Sequence, residues 1–467
     1  KKTTAHLVMH PPSIKKRKRE EYKQWTRVFI YKGTNMVIGR IFRNINNLKW
    51  FPVIFMSPLA YAIGNCAEEI YYALLKARRE DKKVILLYSY NLPFWLVKYR
   101  LTNRELFKVD SEYIYFKKNS LLLHALRLCV TLVYLPLRVV SLWLRDSFGA
   151  ELSVSYRFPR IGMSNIYQPN EKIEEFSWDA VHSLNWRGQF SDKLSVSLIK
   201  DSNKIGKNNL RELGLSDEDW FVCVHVRESG FKNDAGRHEY RNSSIINYTK
   251  AFERIIERGG WVIRMGDSTM TELPKMERVI DYPFTKFKSD LMDIFLIKNC
   301  RVYIGCQSGI HDVAILFQKP ILITNMCCWN LDYPVFENSR GIVKHLSSHS
   351  KKRILTVKEM FEASWCTETL YGYVDNEKFK WYENSPEDIE EAVIEYMDLL
   401  ESQNFKRSRL QNEAYDTHIK TYHEFCDKTK YTGLSFSEEM IEKWRFASRI
   451  TGSNGAISQK FLEKYWN

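Results

Sequence analysis

The middle of the chain is punctuated by short apolar runs, each closed by a polar turn and followed by an amphipathic stretch. Phe221–Val226, Trp261–Met265, Val302–Ile304 and Ile321–Thr324 read as strands. Ser243–Arg258, Ser289–Lys298 and Ile310–Phe317 read as the helices between them. Strands that are apolar throughout, rather than alternating, are buried on both faces, and their alternation with helices predicts a parallel sheet covered on both sides. An earlier sequence of the same kind predicts a strand at Val53–Met56, a turn over Ser57–Asn65, a helix at Cys66–Arg79 and a strand at Val84–Tyr88, the opening of a first doubly wound unit. Gly206–Asp219 reads as a connection, and Thr356-x-x-Glu359 and Ser385-Pro386-Glu387-Asp388 as helix starts, the second opening Pro386–Ser402.

Residues 121–144 form the longest apolar stretch. Its polar members His124, Arg127 and Thr131, with Arg138 and then Arg145, fall on one narrow stripe of a helix. Guanidinium groups are costly inside a lone membrane span, whereas a helix lying in the interface keeps such a stripe among the headgroups. An in-plane membrane helix is therefore expected, with a buried helix between domains as the alternative.

Composition narrows the picture. In 467 residues, 44% are apolar and 14% aromatic, as expected of a packed globular protein of several domains. The net charge is +14, yet residues 1–49 hold 13 Lys and Arg against Glu20 and Glu21, so nearly all the excess sits in a basic arm. A body so close to neutral argues against nucleic acid as a partner and for an anionic membrane surface met by the arm. Nine cysteines without a C-x-x-C pair favour a reducing compartment and give no zinc framework.

In an open parallel sheet, ligands bind beyond the carboxyl ends of the strands. The residues there are His225-Val226-Arg227-Glu228, Arg264-Met265-Gly266-Asp267, Gly305-Cys306-Gln307-Ser308-Gly309 and Thr324-Asn325. Arg227, Arg264 and a Ser308-Gly309 helix start are what a diphosphate needs: fixed cationic donors and free N–H groups. Asp267 and Asn325 are placed to meet nucleotide or sugar hydroxyls. Neither a P-loop nor an opening G-x-G-x-x-G is present, so kinase, ATPase and ordinary dehydrogenase readings lose support. Asp290 and Asp293 share a helix face, but two carboxylates make a poor metal site, and no metal or cofactor is expected.

H-V-R-E-S-G-F (225–231), R-N (241–242), G-G-W-V-I-R-M-G-D (259–267), D-Y (281–282), S-D-L-M-D-I-F-L (289–296) and I-G-C-Q-S-G (304–309) together resemble a family of bacterial glycosyltransferases of surface-polysaccharide loci. The H-x-R element is also similar to that of GT-B fucosyltransferases. The resemblance implies a GT-B-like α/β fold, two Rossmann-like domains facing a cleft, with the membrane-associating helix inserted in the first. It implies a basic arm (1–49), an acceptor domain (50–205), a donor-binding domain (206–383) and a helical segment packing back across both (384–467). A nucleotide-sugar donor and a glycan or lipid-linked acceptor follow, on the inner face of the cytoplasmic membrane.

By that resemblance Arg227 binds the donor diphosphate with Arg264, Gln307, Ser308 and Gly309, while Arg241, Asn242, Gly266, Asp267, Tyr282 and Asn325 hold nucleotide or sugar. Gly64, Asn65 and Glu68 lie on the acceptor side. The family's early turn resembles R-I-G-H, whereas this chain has Ala62-Ile63-Gly64-Asn65, a neutral amide in place of a titratable ring. Glu228 and His225 are the candidates for the base that takes the acceptor's proton, with Glu68 and Glu69 in reserve. The rival reading is a non-catalytic, membrane-associated scaffold or polyanion-binding protein that keeps the fold.

Overall fold

The computed structural model describes residues 48–56, 62–87, 102–115, 193–228, 239–327, 333–363, 377–428 and 452–467, together with isolated positions between them. Residues 1–44 of the basic arm, residues 165–192, Ser229-Gly230-Phe231 of the H-V-R-E motif, and the polar stripe His124, Arg127, Thr131, Arg138 and Arg145 lie outside the described residues.

The protein is mixed α/β. Strands β1 (Val53–Met56) and β2 (Lys83–Leu86) pair in parallel and are joined by helix α1 (Ile63–Glu80), while β3 (Val109–Asp110) and β4 (Ser197–Leu198) form a short antiparallel pair. Helix α1 begins within the segment expected to be a turn, and Gly64 and Asn65 lie in its first turn. A glycine there reads as a turn signal in sequence; in the fold it answers to packing, described below.

Helix α2 (Lys200–Glu212) replaces the first half of the expected connection at 206–219. Gly206 is buried in it because a Cβ there would lie 2.2 Å from the Phe295 ring. That ring belongs to the helix at Asp290–Asn299.

The main sheet has seven parallel strands. Its chain order is β5 (Phe221–His225), β6 (Trp261–Met265), β7 (Val279–Asp281), β8 (Val302–Gly305), β9 (Ile321–Met326), β10 (Arg340–Val343) and β14 (Ala456–Ile457). Its spatial order is β14-β10-β9-β8-β5-β6-β7. Helices α3 (Thr249–Glu257), α4 (Asp290–Asn299) and α5 (Gly309–Leu316) make the crossovers. Ser289 caps α4 by accepting from Met292 N. The expected helix at 243–258 is shorter, its first turn being a 3-10 turn at Ile245–Tyr248.

A second, antiparallel sheet joins β11 (His345–Ser348) to β12 (Arg353–Ile354) and β13 (Phe379–Tyr382). Helix α6 (Val357–Glu362) starts on the capping box of Thr356 and Glu359. Helix α7 (Pro386–Ser402) starts on that of Ser385 and Asp388 and lies along α3, with Lys250–Glu387 and Arg254–Glu390 at 2.6 Å and Arg258–Asp398 at 2.5 Å. The chain then runs through α8 (Arg409–Lys428) and returns to add β14 and α9 (Gln459–Tyr465), whose first turn is held by the Glu395 carboxylate at Gln459 N (2.8 Å) and Lys460 N (2.9 Å).

In the 121–147 segment, Leu121, Leu128, Leu132, Val139, Val140 and Trp143 occupy helical positions and are 47–86% exposed. Leu121, Leu128, Leu132, Val139 and Trp143 follow one another at intervals of 7, 4, 7 and 4 residues, so they share one face. Among the described residues these positions are turned to solvent. Among the described residues no helix is long and apolar enough to cross a membrane.

Candidate functional site

The chain lays β5, β6 and β7 outward in one direction and then returns past β5 to lay β8, β9 and β10 in the other. The order therefore reverses between β5 and β8, and the crevice beyond their carboxyl ends is the place where open α/β sheets bind ligands. The two strands come close there: a Cβ on Gly305 would lie 2.3 Å from His225 O, so only glycine fits.

His225 Nδ1 lies 3.0 Å from Ser308 Oγ, with Tyr303 OH 3.5 Å from the same hydroxyl. Burial, and then the charge of Arg264, push the His225 pKa down to about 3, so the ring is neutral at ordinary pH and takes up a proton poorly. Arg227 N donates to Cys306 Sγ at 2.9 Å, and the Arg227 guanidinium donates to the Asn242 side-chain oxygen. Arg241 Nη2 donates to Gln307 O at 2.9 Å. Gln307 is fully buried and accepts from Cys327 N at 2.8 Å, which ties the β8 end to the β9 end. The expected residues His225, Arg227, Arg241, Asn242, Gln307 and Ser308 thus stand at the switch point as three hydrogen-bonded pairs, His225 with Ser308, Arg227 with Asn242 and Arg241 with Gln307.

Arg264 faces inward. It has no exposed surface, donating to Asp281 Oδ1 (2.8 Å), Glu228 Oε1 (3.3 Å) and Thr271 O (3.0 Å). Glu228 is further held by Thr271 N at 2.7 Å. Arg264 therefore reaches the crevice through the carboxylate it orients. Gly266 (φ 154°) turns the chain away from β6, and Asp267 accepts from Thr269 N at 2.9 Å.

Two further expected residues are used internally. Tyr282 is fully buried and donates to Asp293 Oδ1 at 2.9 Å. Asn325 (φ 53°) exchanges two 2.7 Å hydrogen bonds with Asn384, side chain to backbone in both directions.

The acceptor-side residues meet the crevice through a helix pair. Gly64 and Gly309 abut: a Cβ on Gly64 would lie 2.7 Å from Gly309 Cα, and one on Gly309 would lie 3.0 Å from Gly64 N. One end further on, Gln318 Nε2 reaches Tyr71 OH at 3.5 Å, so α1 and α5 run side by side in the same direction. Their positive N-terminal ends therefore meet at one point, and neither first turn is capped by its N-cap side chain. Ala62 has no group to offer, and the Ser308 hydroxyl is turned to His225. Asn65 is partly exposed beside this junction; Glu68 and Glu69 are buried on α1.

Two residues that the sequence reading passed over lie here. Asp312 carries its carboxylate over Gly64, 2.5 Å from where a Cβ would be. Lys344, at the end of β10, is 3% exposed and donates to Tyr240 O (2.9 Å) and Asn242 O (2.7 Å). The strand-end rule would have found Lys344 had Arg340–Val343 been recognisable as a strand. Among the described residues no three His, Cys, Asp or Glu side chains gather as a metal-binding group.

No family profile matches the sequence, and no curated protein matches it. Among solved structures the chain is similar to the glycosyl transferase family 9 protein from Veillonella parvula, at 10% identity over 77% of this chain and 100% of that one, with a TM-score of 0.38. It is also similar to E. coli ADP-heptose LPS heptosyltransferase II, at 12% identity over 62% of this chain and 89% of that one, with a TM-score of 0.33. At such similarity, the chemistry of the crevice has to be read from its own residues.

Proposed function

We propose that the protein is a glycosyltransferase of GT-B type that binds a nucleotide-sugar in the crevice between β5 and β8 and transfers the sugar to a glycan or lipid-linked acceptor presented from the α1 side. The observation that carries this reading is the coincidence of the sheet's switch point with Arg227, Arg241 and the meeting N-termini of α1 and α5. Departure of a nucleoside diphosphate builds negative charge, and preorganised donors at that place stabilise it without reorganising. Arg227 and the α5 N-terminus face the diphosphate, Gln307 and Ser308 shape its floor, and Asp267 binds nucleotide or sugar hydroxyls. Glu228 is the base: Arg264 and Thr271 N hold its carboxylate in one orientation while 17% of the side chain stays exposed. His225, with its depressed pKa, orients Ser308 instead. No metal or cofactor takes part, the cations standing in for one.

The exposed apolar positions of the 121–147 segment and the basic arm bring the acceptor side to the inner surface of the cytoplasmic membrane, in surface-polysaccharide or glycoconjugate synthesis. A scaffold without chemistry would use the same face but has no need of Arg227 and Arg241 gathered at the switch point.

A thermal-stability panel of UDP, GDP, ADP and CDP, run in EDTA, tests the donor site. A diphosphate at 100 times its Kd is expected to add about 2.7 kcal/mol, and no response to any of the four removes the reading. Sedimentation with anionic vesicles tests the membrane contact. The protein is expected to pellet, high salt to release only part of it, and Leu128→Ser with Leu132→Ser to release it at unchanged Tm. A protein that stays in the supernatant with anionic vesicles rejects the contact.

A further inference from the structure

We infer that Lys344 is a positioning residue of the donor site, a buried ammonium that holds the arginine-bearing turn and supplies charge for the second phosphate of a nucleoside diphosphate. The inference rests on the donor-site reading above.

Lysine is almost never fully buried unless paired, because an ammonium loses its hydration there. Lys344 is 3% exposed, and among the described residues it bonds to no carboxylate; its acceptors are the carbonyls of Tyr240 and Asn242. Burial pushes its pKa down, so the charge is held at a cost. A neutral amide donor could bond the same two carbonyls without that cost. Stability alone therefore gives no reason for an ammonium here.

Its position gives one. The two carbonyls flank Arg241, which reaches Gln307 O, and Asn242 is also the acceptor for the Arg227 guanidinium. One ammonium thus fixes the Glu239–Arg241 turn that carries Arg241 and the backbone of Asn242, the partner of Arg227. Cys306 lies within the field of Arg241 and Lys344: burial raises its thiol pKa while both cations act to lower it. Three cations from separate segments, on residues 227, 241 and 344, are gathered around the end of β8 by backbone and amide oxygens. A diphosphate supplies the negative charge that the ammonium lacks.

Isothermal titration of the full-length chain with UDP, GDP, ADP and CDP, and with the corresponding nucleosides, tests this. Lys344→Met is expected to weaken the preferred diphosphate at least about tenfold, about 1.4 kcal/mol, and to leave nucleoside affinity within about twofold, with some loss of Tm from the two carbonyls that lose their donor. Lys344→Gln, which retains donors for the two carbonyls and drops only the charge, is expected to lose diphosphate affinity in the same way. Parent-like diphosphate affinity in both variants overturns the inference while leaving the donor site standing. Equal loss for nucleoside and diphosphate together with a lower Tm also overturns it, as a purely structural role. A parent chain that binds no diphosphate removes the site and this role together.

Discussion

Lys344 and His345 are consecutive residues, yet they enter two charged clusters of opposite character. His345 Nε2 lies 3.0 Å from Asp388 Oδ2, and the other oxygen of that carboxylate accepts from Lys464 Nζ and Tyr465 OH, both at 2.8 Å. Burial alone would raise the Asp388 pKa; the hydrogen bonds from His345, Lys464 and Tyr465 outweigh it and hold the carboxyl well below its usual range. Lys344, on the other side of the chain, meets carbonyls instead of a carboxylate. The Asp388 cluster ties the chain's last helix to α7, and its charges cancel. At the switch point Lys344, beside Arg227 and Arg241, meets the carbonyls of Tyr240 and Asn242 and, among the described residues, no carboxylate. The matched charges serve the fold; on the proposed donor site, the buried Lys344 ammonium is left for a ligand that brings its own charge.

Breaking the matched side should give the largest change in stability. Asp388→Ala leaves His345 and Lys464 without their acceptor and is expected to cost about 3 kcal/mol, measured by chemical unfolding, with diphosphate affinity of the folded protein unchanged. The same carboxylate predicts a pH dependence. Its folded pKa lies below the unfolded value of about 3.9, so its contribution is complete above that value and is lost as pH falls further. The acid limb of the stability curve should flatten in Asp388→Ala. If the variant instead loses diphosphate binding, the two clusters are not separate in function.

Breaking the switch-point side should do the converse. Arg227→Ala is expected to weaken diphosphate binding at least about tenfold, from the loss of a charge-assisted contact worth about 1.5–3 kcal/mol, while Tm stays within a few degrees. A large fall in Tm at parent-like affinity would place Arg227 with the structural charges.

The parallel strands were legible because a strand buried on both faces reads as an unbroken apolar run, as Phe221–His225, Val302–Gly305 and Ile321–Met326 do. Strands β10, β14 and β7 were not. Arg340–Val343 opens on a buried arginine that donates to Phe405 O at 2.8 Å, Ala456–Ile457 has only two residues, and Val279–Asp281 ends in the carboxylate that holds Arg264. In each case a partner distant in sequence makes the segment a strand. Gly64 and Gly206 read as turn and linker because glycine has the same signature in a loop and at a tight helix contact.

By itself the sequence determined the alternation of strand and helix, the capping boxes at Thr356 and Ser385, and which polar residues stand at strand ends, since these are set by neighbours within a few positions. Only the tertiary structure decided where the strand order reverses, that Arg264 is spent on Glu228 and Asp281 while Arg227 meets an amide, that α1 and α5 meet at Gly64 and Gly309, and that Lys344 joins the arginines. Whether a charge is matched depends on which residues the fold brings within about 3 Å of it, and those partners lie up to a hundred positions away along the chain.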